Sequence, residues 1–124
     1  MGRVDVVGEV SAVFERYERA LVEGDVATLI ALFWDDPRCR RFGVADRQQG
    51  AEEIAAWRRA HPSVPEGRAL RDTVVLALGD SAAVVTTLFT HSDGATEGRQ
   101  SQTWFRFPQG WRIVAAHVSE VPLG

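Results

Sequence analysis

The chain has 124 residues, 45% of them hydrophobic and 25% charged, with a formal charge of −3 at neutral pH. These values fit one globular domain of ordinary size, residues 1–124, with enough apolar surface for its own core. They argue against nucleic acid as a partner, since no long basic run occurs, and against a membrane, since no stretch approaches the ~18 apolar residues a span requires.

The first element is a helix from about Val6 to Glu23. Val6, Val10, Val13, Phe14, Tyr17, Ala20 and Leu21 recur at helical spacing, with Glu15, Arg16, Glu18 and Arg19 between them. Gly24 stops it. Tyr17 sits on the buried stripe between Phe14 and Leu21. It is either a core tyrosine whose hydroxyl meets a backbone carbonyl, or a proton donor at the floor of a cavity. Asp25 caps a second helix, Val26 to about Trp34, and Pro37 prevents its continuation. A short strand, Arg40 to Val44, follows. Alternation puts Arg40, Phe42 and Val44 on one face and Cys39, Arg41 and Gly43 on the other, so one of the two arginines points inward. A buried guanidinium needs an anion, either Asp35, Asp36 or Asp46 or the carboxylate of a ligand. Gly50 precedes a third helix, Ala51 to about His61, with Ile54 and Trp57 inward.

Pro62 and Pro65 bracket a loop, after which the pattern changes to strands at about Ala69 to Leu78, Ala82 to His91, Arg99 to Phe107 and Trp111 to Val118. Gly79-Asp80, Ser92-Asp93-Gly94 and Pro108-Gln109-Gly110 mark the turns. Helices first and an antiparallel meander afterwards is an α+β pattern. A strongly curved sheet folded over three helices leaves a cone-shaped cavity between the two layers. In the last two strands Gln102, His117 and Ser119 are read onto one face of an otherwise apolar sheet, as polar groups aimed into that cavity. Trp104 follows the same alternation, and Arg99 reaches either the rim or solvent.

Absences narrow the chemistry. All 14 basic residues are arginine, so reactions that need a lysine amine are excluded. Cys39 is the only cysteine. No intrachain disulfide is possible, and a reducing cytoplasm is the expected location. The N-terminal charges Arg3, Asp5 and Glu9 interrupt any apolar stretch, so no signal peptide is expected. His61, His91 and His117 have no metal-ligand spacing, and there is no glycine-rich phosphate loop or Gly-x-Ser-x-Gly elbow. No metal and no cofactor are therefore expected. Arginines beside Cys39 would lower its pKa and leave a nucleophilic thiol as a minor reading.

The segments Phe33-Trp34-Asp35-Asp36-Pro37-Arg38, Arg41-Phe42-Gly43, Gly50 with Ile54, and Gly98-Arg99-Gln100-Ser101-Gln102-Thr103-Trp104 through His117-Val118-Ser119 resemble the AtzH-like family. That family belongs to the nuclear transport factor two-like superfamily, the cystatin-like, SnoaL-like fold also seen in ketosteroid isomerase. The resemblance covers nearly the whole chain and includes 1,3-dicarboxyurea deamidase and oxalurate-catabolism proteins. It implies a cone of curved antiparallel sheet over three N-terminal helices, with Tyr17 and Arg41 at the positions of the proposed catalytic tyrosine and arginine. Gln102, Trp104, His117, Ser119, Trp34 and Arg99 are the accompanying candidates for substrate binding.

The expectation is a cofactor-free hydrolase, a decarboxylating deamidase acting on small anionic urea-like carboxylates in nitrogen-compound catabolism. The alternative is a non-catalytic binding or accessory protein in an amidase pathway. Isomerase or cyclase chemistry would need an inward carboxylate base, and no Asp or Glu stands clearly at an inward strand position. The expected partners are a small carboxylate ligand, a second copy of the chain in a homodimer, and the pathway's amidase. Thr73, Val75, Ala77, Val85, Thr87 and Phe89 form an apolar face that suits either the dimer contact or the core.

Overall fold

The computed structural model describes residues 4–124; Arg3, counted above among the N-terminal charges, lies outside them. Helix α1 (Val6–Glu23) begins where the Asp5 carboxylate accepts the Gly8 N–H and ends at Gly24, which takes the left-handed conformation with φ 70°. Its buried stripe is Val6, Val10, Phe14, Tyr17, Ala20 and Leu21, spaced so that one face meets the sheet. Asp25 caps helix α2 (Val26–Ala31) through the backbone and hydroxyl of Thr28.

Helix α2 stops three residues short of the expected Trp34. The physical reason is the sheet. Phe33 forms a parallel bridge to Ile113, the Ile113 N–H donates to the carbonyl of Leu32, and the Trp34 N–H donates to the carbonyl of Ile113. The backbone groups that would continue the helix are thus spent on the strand beside it. Strand β1 (Arg40–Phe42) continues the parallel pairing, with Arg41 opposite Ala116. It turns back through Gly43, whose N–H donates to the carbonyl of Asp46, into strand β2 (Arg47–Gln49). This second strand has no signal in the sequence: Arg-Gln-Gln has no apolar residue to betray it.

Helix α3 (Ala51–Ala60) starts at Gly50, where φ is +90° and an added Cβ would press on the backbone of Pro37 at 3.2 Å. Glu52 and Glu53 in its first turn and Arg58 and Arg59 in its last complement the helix dipole. The meander then runs β3 (Ala69–Leu78), β4 (Ala82–Thr90), β5 (Thr96–Phe107) and β6 (Gly110–Pro122). The spatial order is β2-β1-β6-β5-β4-β3, antiparallel except between β1 and β6. Register irregularities at Arg71/Val74, where Asp72 has φ 54°, and at Thr103/Trp104 add the local bend and twist that curl a sheet.

The concave face of the sheet holds Ala83, Val85, Trp104 and Ile113 against Val10, Phe14 and Leu21 of α1, Leu29 of α2 and Ile54 of α3. Val75, Ala77, Val85, Thr87 and Phe89 belong to this inner face, so that part of the apolar surface read as a possible dimer contact is core; Thr73, the sixth residue, is exposed, its hydroxyl 2.7 Å from that of Thr87. The register of the inner residues makes the point: Val75 lies opposite Val85 and Ala77 opposite Ala83. The outward apolar residues are their neighbours Val74, Leu76 and Leu78, with Phe105 on β5.

Candidate active site

A cavity of about 270 Å³ opens between the C-terminal half of α1, the β1–β2 hairpin, α3 and the concave ends of β4, β5 and β6. Tyr17 and Arg41 both line it. Tyr17 arrives from the buried stripe of α1, its ring edge-on to Phe33 at 6.2 Å. Arg41 arrives from the inward side of β1 and is 7% exposed, while Arg40 and Phe42 point out. Of the two arginines on that strand, Arg41 is therefore the inward one.

Arg41 Nη1 donates to Asp46 at 2.7 Å and to Gln48 at 2.8 Å. The Gln48 amide in turn donates to the same Asp46 oxygen at 2.8 Å. The carboxylate that answers Arg41 is thus Asp46, supplied by the turn between β1 and β2. Burial raises the Asp46 pKa, but the Gln48 amide and the Arg41 charge outweigh it and hold the carboxyl below its ordinary value. The Arg41 guanidinium also lies 4.2 Å from the centre of the Trp57 ring, a cation–π contact that fixes its plane.

The remaining wall is richer in polar groups than the sequence suggests. Arg58 lines the cavity from α3, is 5% exposed, and rests 4.9 Å from the same indole. Burial lowers its pKa and the neighbouring Arg41 charge acts the same way, whereas the Tyr17 oxygen and Asp46 oppose them. Arg68 bonds to Glu18 at 2.8 Å and to Gln100 at 3.1 Å, and Gln100 donates to Glu18 at 3.0 Å. Its guanidinium lies 4.2 Å over Phe89. His91 completes this side with its Nε2 buried and without a hydrogen-bond partner among the described residues.

Arg58, Arg68, Gln48 and Gln100 are absent from the candidates read in the sequence, two of them despite a usable signal. Arg58 follows Ile54 by one helical turn and so shares its inward face. Gln100 precedes Gln102 by two strand positions and so shares its face. Gln48 has no signal, because its strand has none.

The other candidates lie elsewhere. Gln102 is inward but sealed in the core at 1% exposure, where its side-chain oxygen accepts the indole N–H of the fully buried Trp104 at 3.1 Å. Packing with one internal hydrogen bond accounts for this pair. His117 and Ser119 are on the opposite face from Gln102. In the β5–β6 register His117 lies opposite Ser101, Ser119 opposite Arg99, and Gln102 opposite Ala116. Directly paired residues share a face, and alternation within β5 separates Gln102 from Ser101 and Arg99. His117 stands edge-on to Phe42, and Ser119 accepts from Arg99 Nε at 3.1 Å, all on the outer surface. Trp34 stacks on Phe107 at 5.5 Å in a separate groove under α2 and α3. Cys39 is fully buried and donates to the Ile113 carbonyl at 3.4 Å. Burial pushes its thiol up to about 11, so it is no nucleophile at neutral pH.

The sequence profile of the AtzH-like family matches residues 1–122. The chain belongs to the AtzH-like family. Two crystal structures share about half of its sequence. One is a protein of unknown function from Pectobacterium atrosepticum, 49% identical, covering 96% of this chain and 93% of its own, with a TM-score of 0.91. The other is a cystatin-like fold protein from Burkholderia xenovorans, 48% identical, covering 97% and 95%, with a TM-score of 0.92. A putative ketosteroid isomerase from Parabacteroides distasonis is similar over 88% of this chain and 85% of its own, with a TM-score of 0.73, and at 19% identity that likeness concerns the fold alone. No curated protein matches the chain. The solved structures give the chain a cystatin-like, NTF2-like fold.

Proposed function

We propose that this AtzH-like protein is a cofactor-free hydrolase of small anionic urea-like carboxylates of the 1,3-dicarboxyurea type. The observation that carries the proposal is the shared cavity of Tyr17 and Arg41, a phenol beside buried guanidinium groups in a space of about 270 Å³. That volume lies just below the usual range for drug-sized ligands and suits a compact metabolite. The buried arginines select an anion, and the rings of Trp57 and Phe89 back the guanidinium groups of Arg41 and Arg68.

In this scheme water adds to the carbonyl carbon, and charge developing on the carbonyl oxygen is stabilised by Arg41, already oriented by Asp46, Gln48 and Trp57. The C–N bond then breaks, and the Tyr17 hydroxyl gives its proton to the departing nitrogen and recovers one from the added water. A carbamic acid released in this way loses carbon dioxide on its own. Nearby carboxylates are engaged: Asp46 with Arg41, Glu18 with Arg68, and Glu120 with the Thr96 hydroxyl at 2.8 Å. Asp46 and Glu18 are ion-paired, which favours a direct water attack; Glu120, at an inward position of β6 where the sequence offered no carboxylate, is held by a hydroxyl alone and is the one cavity carboxylate among the described residues able to act as a base.

The amidase that generates the unstable substrate is the expected functional partner. The test is release of ammonia and carbon dioxide from dicarboxyurea made in situ by such an amidase. Y17F and R41A should each lower the accelerated rate by 10²-fold or more, in the range of a lost general acid or oxyanion donor. No acceleration by the wild-type chain would leave a binding or accessory protein in place of an enzyme.

A further inference from the structure

Three guanidinium groups line the cavity, and they are unequally matched. Arg41 has Asp46 and Gln48; Arg68 has Glu18 and Gln100. Arg58 makes no ion pair among the described residues; its polar neighbours there are the Tyr17 oxygen, with which its guanidinium hydrogen-bonds, and the carbonyl of His61, a long contact of 3.5 Å from Nη1. It is nonetheless 5% exposed. The charged or polar groups that act on it are the Tyr17 oxygen, Arg41 and Asp46, and the Asp46 carboxylate is already held by Arg41.

A fold gains nothing from a buried cation without a counter-charge, because desolvation of the ion is uncompensated. A ligand anion in the cavity would supply the missing charge. The planar fork of a guanidinium matches a carboxylate with two parallel N–H···O bonds. Arg58 sits on a rigid helix and faces the cavity from beside Tyr17 and Arg41.

We infer that Arg58 is the anchor for the ligand's carboxylate, while Arg41, pinned by Asp46 and Gln48, works with Tyr17 at the bond that breaks. The inference rests on the cavity being the substrate site. The two arginines then have separate roles, Arg58 setting affinity and Arg41 setting rate.

Malonate, a compact dicarboxylate that cannot be hydrolysed, is the probe. Titration calorimetry and thermal unfolding of the full chain compare the wild type with R58M, which keeps the aliphatic stem and removes the charge. Malonate affinity should fall roughly 30-fold or more in R58M, as expected for one half of a desolvated charge pair. Without malonate, R58M should melt at the same temperature as the wild type or higher, because it removes an unmatched buried charge; malonate should raise the melting temperature of the wild type alone. A melting temperature that falls in R58M overturns the inference, since Arg58 would then be structural. Wild-type affinity in R58M, or no malonate binding by the wild type, also overturns it. Malonate binding that needs Arg58 with no turnover of dicarboxyurea would keep the anchor and remove the hydrolase; turnover with unchanged malonate affinity in R58M would do the reverse.

Discussion

The carboxyl of Asp46 is held below its ordinary value because Gln48 and Arg41 together outweigh the effect of burial. A depressed native pKa means that the stabilisation is complete above about pH 4, near the unfolded value, and disappears as pH falls through the native one. D46N should therefore lower stability by about 1–2 kcal/mol at pH 7, a modest figure because the pair is partly open to solvent. The gap between D46N and wild type should be smaller at an acid pH, below the unfolded value of about 4, than at pH 7. Urea unfolding at both pH values checks it, and an equal gap at both would assign Asp46 a purely steric role. At this scale helical spacing reports Tyr17 as inward, while strand alternation leaves Arg40 and Arg41 as alternatives and the family resemblance singles out Arg41. The sequence leaves the partner of Arg41 open among Asp35, Asp36 and Asp46. Only the turn back through Gly43 selects Asp46; Asp36 instead caps the Arg38 N–H and pairs with its guanidinium at 2.9 Å.

Strand β5 illustrates how much an element's register matters. Its inward residues Gly98, Gln100, Gln102 and Trp104 pass from the cavity wall to the sealed core within one strand. Gly98 is required there by close approach, since a Cβ would overlap the ring of Phe89 on the neighbouring strand. G98A should displace that ring from beneath Arg68, destabilise the fold by about 1–3 kcal/mol, and weaken ligand binding together with stability. Thermal unfolding measures the first and malonate titration the second; a G98A chain as stable as wild type would mean that Phe89 moves without constraint. Alternation along β5 and β6 is legible in each strand separately. Their relative register is not, because it depends on the turn at Pro108-Gln109-Gly110 and on the irregularity at Thr103/Trp104. That is why His117 and Ser119, expected beside Gln102, stand behind it. Helix α2 and strand β2 depart from expectation for a related reason: both are bounded by long-range backbone pairing rather than by their own residues.

Across the whole molecule, the layer order of helices against a curved sheet is readable from the switch in hydrophobic period after Pro65. Which side of the sheet faces solvent is not, since both sides of β3 and β4 carry apolar residues. The structure leaves Val74, Leu76 and Leu78 on β3 and Phe105 on β5 exposed, Leu76 at 56%. A contiguous apolar patch of this kind is the surface we expect a second copy to cover. Sedimentation equilibrium should report a dimer for the wild type and a monomer for L76R, with the secondary structure unchanged. A dimer that persists in L76R would place the contact on another surface.

A crystal structure of the protein grown with malonate would locate the ligand. A carboxylate against the Arg58 guanidinium, within reach of Tyr17 and Arg41 in the cavity between α1, α3 and the concave sheet, is the expected result. Malonate seated in the groove beside Trp34, or on the outer face near Arg99 and His117, would contradict this account of where the chemistry occurs.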